Sequence, residues 1–154
     1  MSSFTKLTYH AVWSTKYRKP IIVDSLRERL YEYIGGIVRQ KDGVLLEIGG
    51  IEDHIHLLLH ISATKTVSNA IRDIKANASR WVNELPEIKR RFEWQKGYSA
   101  FTVSYPQLPK VRRYILNQRK HHRKLTFAEE YRSFLKRHDI EFDPDRLFED
   151  EHFG

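Results

Sequence analysis

Residues 53–61 read DHIHLLLHI. Four aliphatic residues at alternate positions, Ile55, Leu57, Leu59 and Ile61, give this stretch the period-two pattern of a β-strand with a buried face. The same pleat sends His54, His56, Leu58 and His60 to the opposite side. A charged imidazole is costly among aliphatic side chains, and an unpaired neutral one still forfeits hydrogen bonds. Any fold this chain adopts must therefore give the second face of the strand either solvent or a polar, ligand-bearing layer. Residues i and i+2 of a strand stand about 6–7 Å apart at the backbone, so His54 and His56 can converge on one ion as neutral imidazoles. His60, about 13 Å from His54, is out of reach of that ion and is expected to be structural or near a bound substrate. Half-exposed imidazoles on an open sheet remain the simpler alternative at this point.

The flanking sequence frames an α+β fold. Residues 4–15 alternate through Leu7, Tyr9, Ala11 and Trp13, as a strand does. Asp24 is a candidate N-cap for a helix reaching about residue 41, with Gly35 and Gly36 weakening it. VLLEIGGI and HIHLLLHI read as a hairpin around Glu52 and Asp53. Residues 64–85 place Val67, Ile71, Ile74, Ala78 and Trp81 on one helical stripe. A strand follows at 98–105, then an uninterrupted helix from Pro109 to Lys124, and a short amphipathic helix over 126–138. The order β-α-β-β-α-β-α-α predicts a ferredoxin-like, RRM-like antiparallel sheet with helices on one face and an additional helix near the C-terminus. One domain over 1–124 and a helical, acidic extension over 125–154 are the expected organisation. No stretch is apolar enough to span a bilayer and the start lacks a signal-peptide pattern, so a cytoplasmic protein is expected.

Two protein histidines make an incomplete metal centre, and cysteine is absent, so a further ligand must be a histidine, carboxylate or amide. Tyr114 and Gln118 lie at i and i+4 in the Pro109–Lys124 helix and share one face. A glutamine carbonyl can hold a metal, and a tyrosine hydroxyl can act as a nucleophile. On that helix alone, Tyr114 packing beside Val111 and Ile115 with Gln118 solvated is the favoured reading.

Four blocks, YHAVWSTKYRKPI, EDHIHLLLHI, WQKGYSAFTVS and VRRYILNQRKHH, in this order, resemble those of the single-tyrosine (Y1) transposases of the IS200/IS605 family, within the HUH endonuclease superfamily. The resemblance implies that His54, His56 and Gln118 hold a divalent ion, Mg²⁺ or Mn²⁺, and that Tyr114 is the nucleophile. It implies hairpin-bearing single-stranded DNA as substrate, cleavage through a 5′-phosphotyrosine link with release of a 3′-hydroxyl, and a homodimer in which the tyrosine helix can act in trans. The added helix is then the one carrying the nucleophilic tyrosine, and the C-terminal extension departs from the minimal family pattern.

The charge distribution agrees with a polyanionic substrate. Residues 1–124 carry 23 Lys/Arg against 11 Asp/Glu, whereas 125–154 carry 4 against 9. Arg112, Arg113 and Lys120 are candidate phosphate contacts, with Lys16, Arg18, Lys75 and Arg80 further away. Trp94 and Tyr98 can stack on bases, although core packing suits them better. Histidine-triad hydrolases are disfavoured because their third alternate histidine would fall at Leu58. A noncatalytic single-stranded nucleic-acid-binding module, or a domesticated relative that processes repeated palindromes, is the remaining competitor.

Overall fold

The computed structural model describes residues 2–148. The acidic end that begins at Glu149 lies outside the described residues. Four antiparallel strands, β1 (Thr8–Ser14), β2 (Val44–Ile51), β3 (His54–His60) and β4 (Ser99–Thr102), form one sheet in the order β2-β3-β1-β4. β3 is therefore central, with Gly49 of β2 and Val12 of β1 opposite His56. A bulge at Leu46 breaks the β2–β3 register once.

Ala11 and Trp13 of β1 and Ile55, Leu57 and Leu59 of β3 face α1 (Asp24–Gln40) and α2 (Val67–Glu84). Leu26, Leu30, Ile34, Ile37 and Val38 form the apolar stripe of α1, and Ala70, Ile71, Ile74, Ala78 and Val82 that of α2. Each fully buried leucine or isoleucine contributes about 1.5–3 kcal/mol relative to exposure. Tyr33 and Trp81 stack between the helices at 4.7 Å. The N-cap of α1 is Val23 rather than Asp24, because the Val23 carbonyl already accepts from Leu26 and Arg27. Asp24 sits in the first turn, where its charge favours the helix dipole and pairs with Arg27 at 2.8 Å. Thr66 caps α2 by accepting from the Asn69 amide.

The expected first strand begins only at Thr8; Phe4 is 93% exposed. Trp94 belongs to the core beside Trp13, its Nε1 donating to the Lys75 carbonyl, and Tyr98 packs on the same cluster. α1 and α2 occupy one face of the sheet, as expected. The second face is not open. It is covered by α3 (Leu108–Leu116), α4 (Gln118–His121) and α5 (Phe127–Arg137). α5, capped by Thr126, buries Phe127, Tyr131, Phe134 and Leu135 against Val12 and Phe101 in a second apolar cluster. Phe142, Leu147 and Phe148 pack at its edge. The start of the extension is thus part of the layer over the histidine face.

Candidate metal and nucleophile site

β3 presents His54 and His56 beneath this second layer, both 0% exposed. The helix expected from Pro109 to Lys124 divides at Asn117, a residue of weak helix preference that adopts φ −99°, ψ 24°. Its amide is shared between the Arg113 and Tyr114 carbonyls. Gln118 doubles back across the break: its Nε2 donates to the Tyr114 carbonyl (3.2 Å), which fixes Oε1 toward His54 Nε2 at 2.9 Å. Gln118 is 1% exposed. Tyr114 projects from α3 to within 5.7 Å of the His56 ring, centroid to centroid. The four residues singled out in the sequence therefore meet in one place.

Three further side chains complete that place. His10 on β1 contacts His56 Nδ1 through Nε2 at 2.8 Å, and Asp53 accepts from His54 Nδ1 at 2.7 Å. Both contacts fix ring orientation and leave each Nε2 aimed at the cluster, the arrangement that metal-binding histidines need. His122 donates from Nδ1 to the Leu125 carbonyl at 2.6 Å and points Nε2 at Gln118 Oε1, 3.1 Å away. Glu130, on α5 and 1% exposed, places Oε1 at 3.4 Å from His54 Nε2, 3.1 Å from His56 Nε2 and 3.2 Å from His122 Nε2. Its Oε2 accepts the Tyr114 hydroxyl.

Sequence reasoning overlooked His10, His122 and Glu130. A signal existed for two of them. His10 shares the second sheet face with Val12, and Glu130 interrupts the stripe formed by Phe127, Tyr131 and Phe134. His122 carried none beyond its place in the HH dipeptide.

Electrostatics follow from burial. Desolvation lowers His56 from its usual range to about 4, outweighing the attraction of Glu130. Burial and the neighbouring His56 likewise hold His10 well below its ordinary value. Both are neutral imidazoles at pH 7, the form that ligates metals. Burial alone would lower His122, but the hydrogen bond and charge of Glu130 raise it. Glu130 is held below the carboxylate range: burial opposes this, and the hydrogen bonds of His122 and His56 overcome it. Tyr114 is raised by burial and by the adjacent Glu130 carboxylate, so it rests as a neutral phenol.

His60 is apart from the cluster and bonds Thr8 Oγ1 through Nδ1 at 2.7 Å. Among the candidate cations, Arg112 donates to the Leu46 carbonyl at 2.7 Å, tying α3 to the β2 bulge, while Arg113 and Lys120 are exposed. Lys16, Lys75 and Arg80 line an open 970 Å³ groove between α2 and residues 91–98, on the α2 side of the sheet. Within it Lys75 donates to the carbonyls of Gln95, Lys96 and Gly97, and Lys16 pairs with Glu93 at 3.1 Å. Arg18 lies 4.1 Å above the Phe148 ring. The basic candidates thus fall into two groups rather than one surface around Tyr114.

Residues 3–118 match the family model described as "Transposase IS200 like". The chain is 26% identical over 118 residues to the ISDra2 transposase TnpA of Deinococcus radiodurans, covering 73% of this chain and 84% of that protein. A crystal structure of a putative transposase from Deinococcus radiodurans R1 superposes with a TM-score of 0.63 at 27% identity, covering 77% of this chain and 95% of that one. A REP-associated tyrosine transposase, solved bound to a REP hairpin, shares the fold at 16% identity with a TM-score of 0.60, over 79% of this chain and 74% of that one.

Proposed function

Because the chain belongs to the IS200-like transposase family, we propose that it cleaves and rejoins single-stranded DNA at hairpin-bearing ends, with Tyr114 as nucleophile and a divalent ion, Mg²⁺ or Mn²⁺, held by His54, His56 and Gln118. One observation carries this reading. Tyr114 and Gln118, about sixty residues downstream of β3, are folded back onto the histidine pair in a single buried cluster. The donor set suits a divalent cation: two imidazoles with their second nitrogens already engaged, and an amide oxygen whose orientation is fixed. When bound, such an ion polarises a phosphate oxygen and offsets charge that builds in the transition state.

The protein's own groups do the rest. Tyr114 Oη forms a bond to the scissile phosphorus as the bond from phosphorus to the 3′-oxygen breaks; the phenolic proton lost is matched by the proton gained at the 3′-hydroxyl. The resulting 5′-phosphotyrosine keeps the free energy of the broken linkage available for rejoining. Arg113 on the nucleophile helix and Lys120 on α4, both exposed, would steer the phosphate backbone. The groove beside α2, lined by Lys16, Lys75 and Arg80, would receive a more distant stretch of the DNA. Arg112 and Arg18, engaged with Leu46 and Phe148, are weaker candidates. In the same reading the protein acts in the cytoplasm as a homodimer, the segment 104–107 before α3 allowing the tyrosine helix to serve a partner copy. The single chain already sets Tyr114 beside its own histidines, and no helix among the described residues is long and apolar enough to cross a membrane.

The test is metal-dependent cleavage of labelled single strands that carry the hairpins of the encoding element's ends. His54→Ala and His56→Ala are expected to abolish cleavage while retaining binding. Undiminished cleavage by either variant would remove the metal assignment. A noncatalytic binding module has one observation in its favour, the 0–1% exposure of His54, His56, Gln118 and Glu130 beneath α5. It predicts binding of the same strands with no cleavage under any divalent ion.

A further inference from the structure

We propose that His122 and Glu130, both beyond the residues that match the family, are ligands of the same divalent ion, so that α5 is fastened to the sheet through the metal. This rests on the metal reading above and extends it to two side chains from the C-terminal part of the chain.

His54 Nε2, Gln118 Oε1, His122 Nε2 and Glu130 Oε1 form a closed ring of donors with successive separations of 2.9, 3.1, 3.2 and 3.4 Å. Adjacent donors of an octahedral ion with bonds of about 2.1 Å lie about 3.0 Å apart, and those of a tetrahedral ion about 3.4 Å apart. The ring thus has the edge lengths of a coordination polyhedron. His54, His122 and Glu130 also form a cluster in which each offers one ligand atom within 4.8 Å of the others. His56 Nε2 reaches the same Glu130 oxygen at 3.1 Å.

Hydrogen-bond accounting points the same way. His122 spends its Nδ1–H on the Leu125 carbonyl, and His54 spends its own on Asp53. Each Nε2 then faces two oxygens, Gln118 Oε1 and Glu130 Oε1, and the Gln118 oxygen is a pure acceptor because its amide nitrogen is donated to Tyr114. An ion shared among the two Nε2 atoms and the two oxygens would take the place of the proton that otherwise joins His122 to Glu130, and would satisfy all four atoms at these distances. A carboxylate adds the negative charge that a set of two imidazoles and an amide does not supply. Glu130 Oε2 simultaneously accepts the Tyr114 hydroxyl, so the same carboxylate joins the ion site to the nucleophile.

The experiment is calorimetric titration of the metal-stripped full chain with Mn²⁺ at pH 7.5, with thermal unfolding of each variant as a check on folding. Glu130→Gln and His122→Gln are each expected to weaken Mn²⁺ binding at least tenfold and to reduce the thermal shift that Mn²⁺ produces. Glu130→Asp, which keeps the charge but withdraws the oxygen by one methylene, is expected to lose affinity as well. Glu129→Gln removes the same charge from an exposed neighbour on α5 and is expected to bind within twofold of the parent. If the Glu130 and His122 variants bind Mn²⁺ within twofold of the parent while His54→Ala does not bind it, the inference fails and the histidine–glutamine site stands. If His54→Ala also binds Mn²⁺ like the parent, both fail.

Discussion

Gly49→Ala tests whether the tyrosine helix must sit as close to the sheet as it does. Gly49 lies on β2 opposite His56, and a Cβ built there would meet the Ile115 carbonyl oxygen at 2.4 Å, its Cγ2 at 2.9 Å and its carbonyl carbon at 3.1 Å. Ordinary contact begins near 3.4 Å. The obstacle is backbone, immediately after Tyr114, so α3 must retreat by about 1 Å rather than turn a rotamer. Overpacking of this kind costs about 1–3 kcal/mol, offset by about 0.4–1 kcal/mol from the reduced freedom of the unfolded chain. A net loss of about 1–2 kcal/mol is expected in urea unfolding at unchanged slope. The functional effect should be larger, because a 1 Å displacement of a reacting group costs about 10²-fold in rate. Gly36→Ala in α1 is the matched comparison: its nearest neighbour would be an Arg39 guanidinium nitrogen at 3.8 Å, and the helix should gain about 0.5–1 kcal/mol. A Gly49→Ala protein as stable and as active in cleavage as the parent would refute the reasoning.

Two other perturbations bear on the site and the core. His10→Ala should lower Mn²⁺ affinity about 10–100-fold by freeing the His56 ring, and His10→Gln, whose amide oxygen can accept from Nδ1, should restore part of it; equal affinity in all three proteins would deny His10 a positioning role. Tyr31 has a buried hydroxyl without a hydrogen-bond partner among the described residues, and burial raises its pKa from 10.0 to about 12. Its preference for the neutral phenol stabilises the fold fully below pH 10 and is lost as pH rises through about 12, a change of up to about 3 kcal/mol. Tyr31→Phe should remove that part of the alkaline decline and leave stability at pH 7 equal or up to about 1 kcal/mol higher. An unchanged alkaline profile in the variant would count against it.

The core face was legible because period-two and helical stripes report burial directly: Ile55, Leu57 and Leu59 meet the stripes of α1 and α2 as their spacing demands. His54, His56, Tyr114 and Gln118 stood out because an imidazole pair inside an aliphatic strand needs a reason, and the resemblance to the Y1 family supplied the distant pair. The covering of the histidine face was harder to read. Phe127, Tyr131 and Phe134 announce an amphipathic α5, but nothing in their spacing says which sheet face they cover. Glu130 falls on that stripe, which marks it for burial, but nothing in its spacing says what it meets until α5 is docked. The division at Asn117 was equally silent, since it arises from the inward turn of Gln118 onto His54 rather than from glycine or proline.

The central claim, that Tyr114 attacks DNA in a metal-dependent step, is tested most directly by trapping the covalent product. The protein is incubated with Mn²⁺ and a single strand bearing the hairpin ends, the DNA is digested to a short remnant, and tryptic peptides are analysed by mass spectrometry. The account predicts a phosphonucleotide adduct on peptide 114–119, absent without the ion and in Tyr114→Phe. Strand cleavage that persists in Tyr114→Phe, or an adduct mapped to another tyrosine, would contradict it.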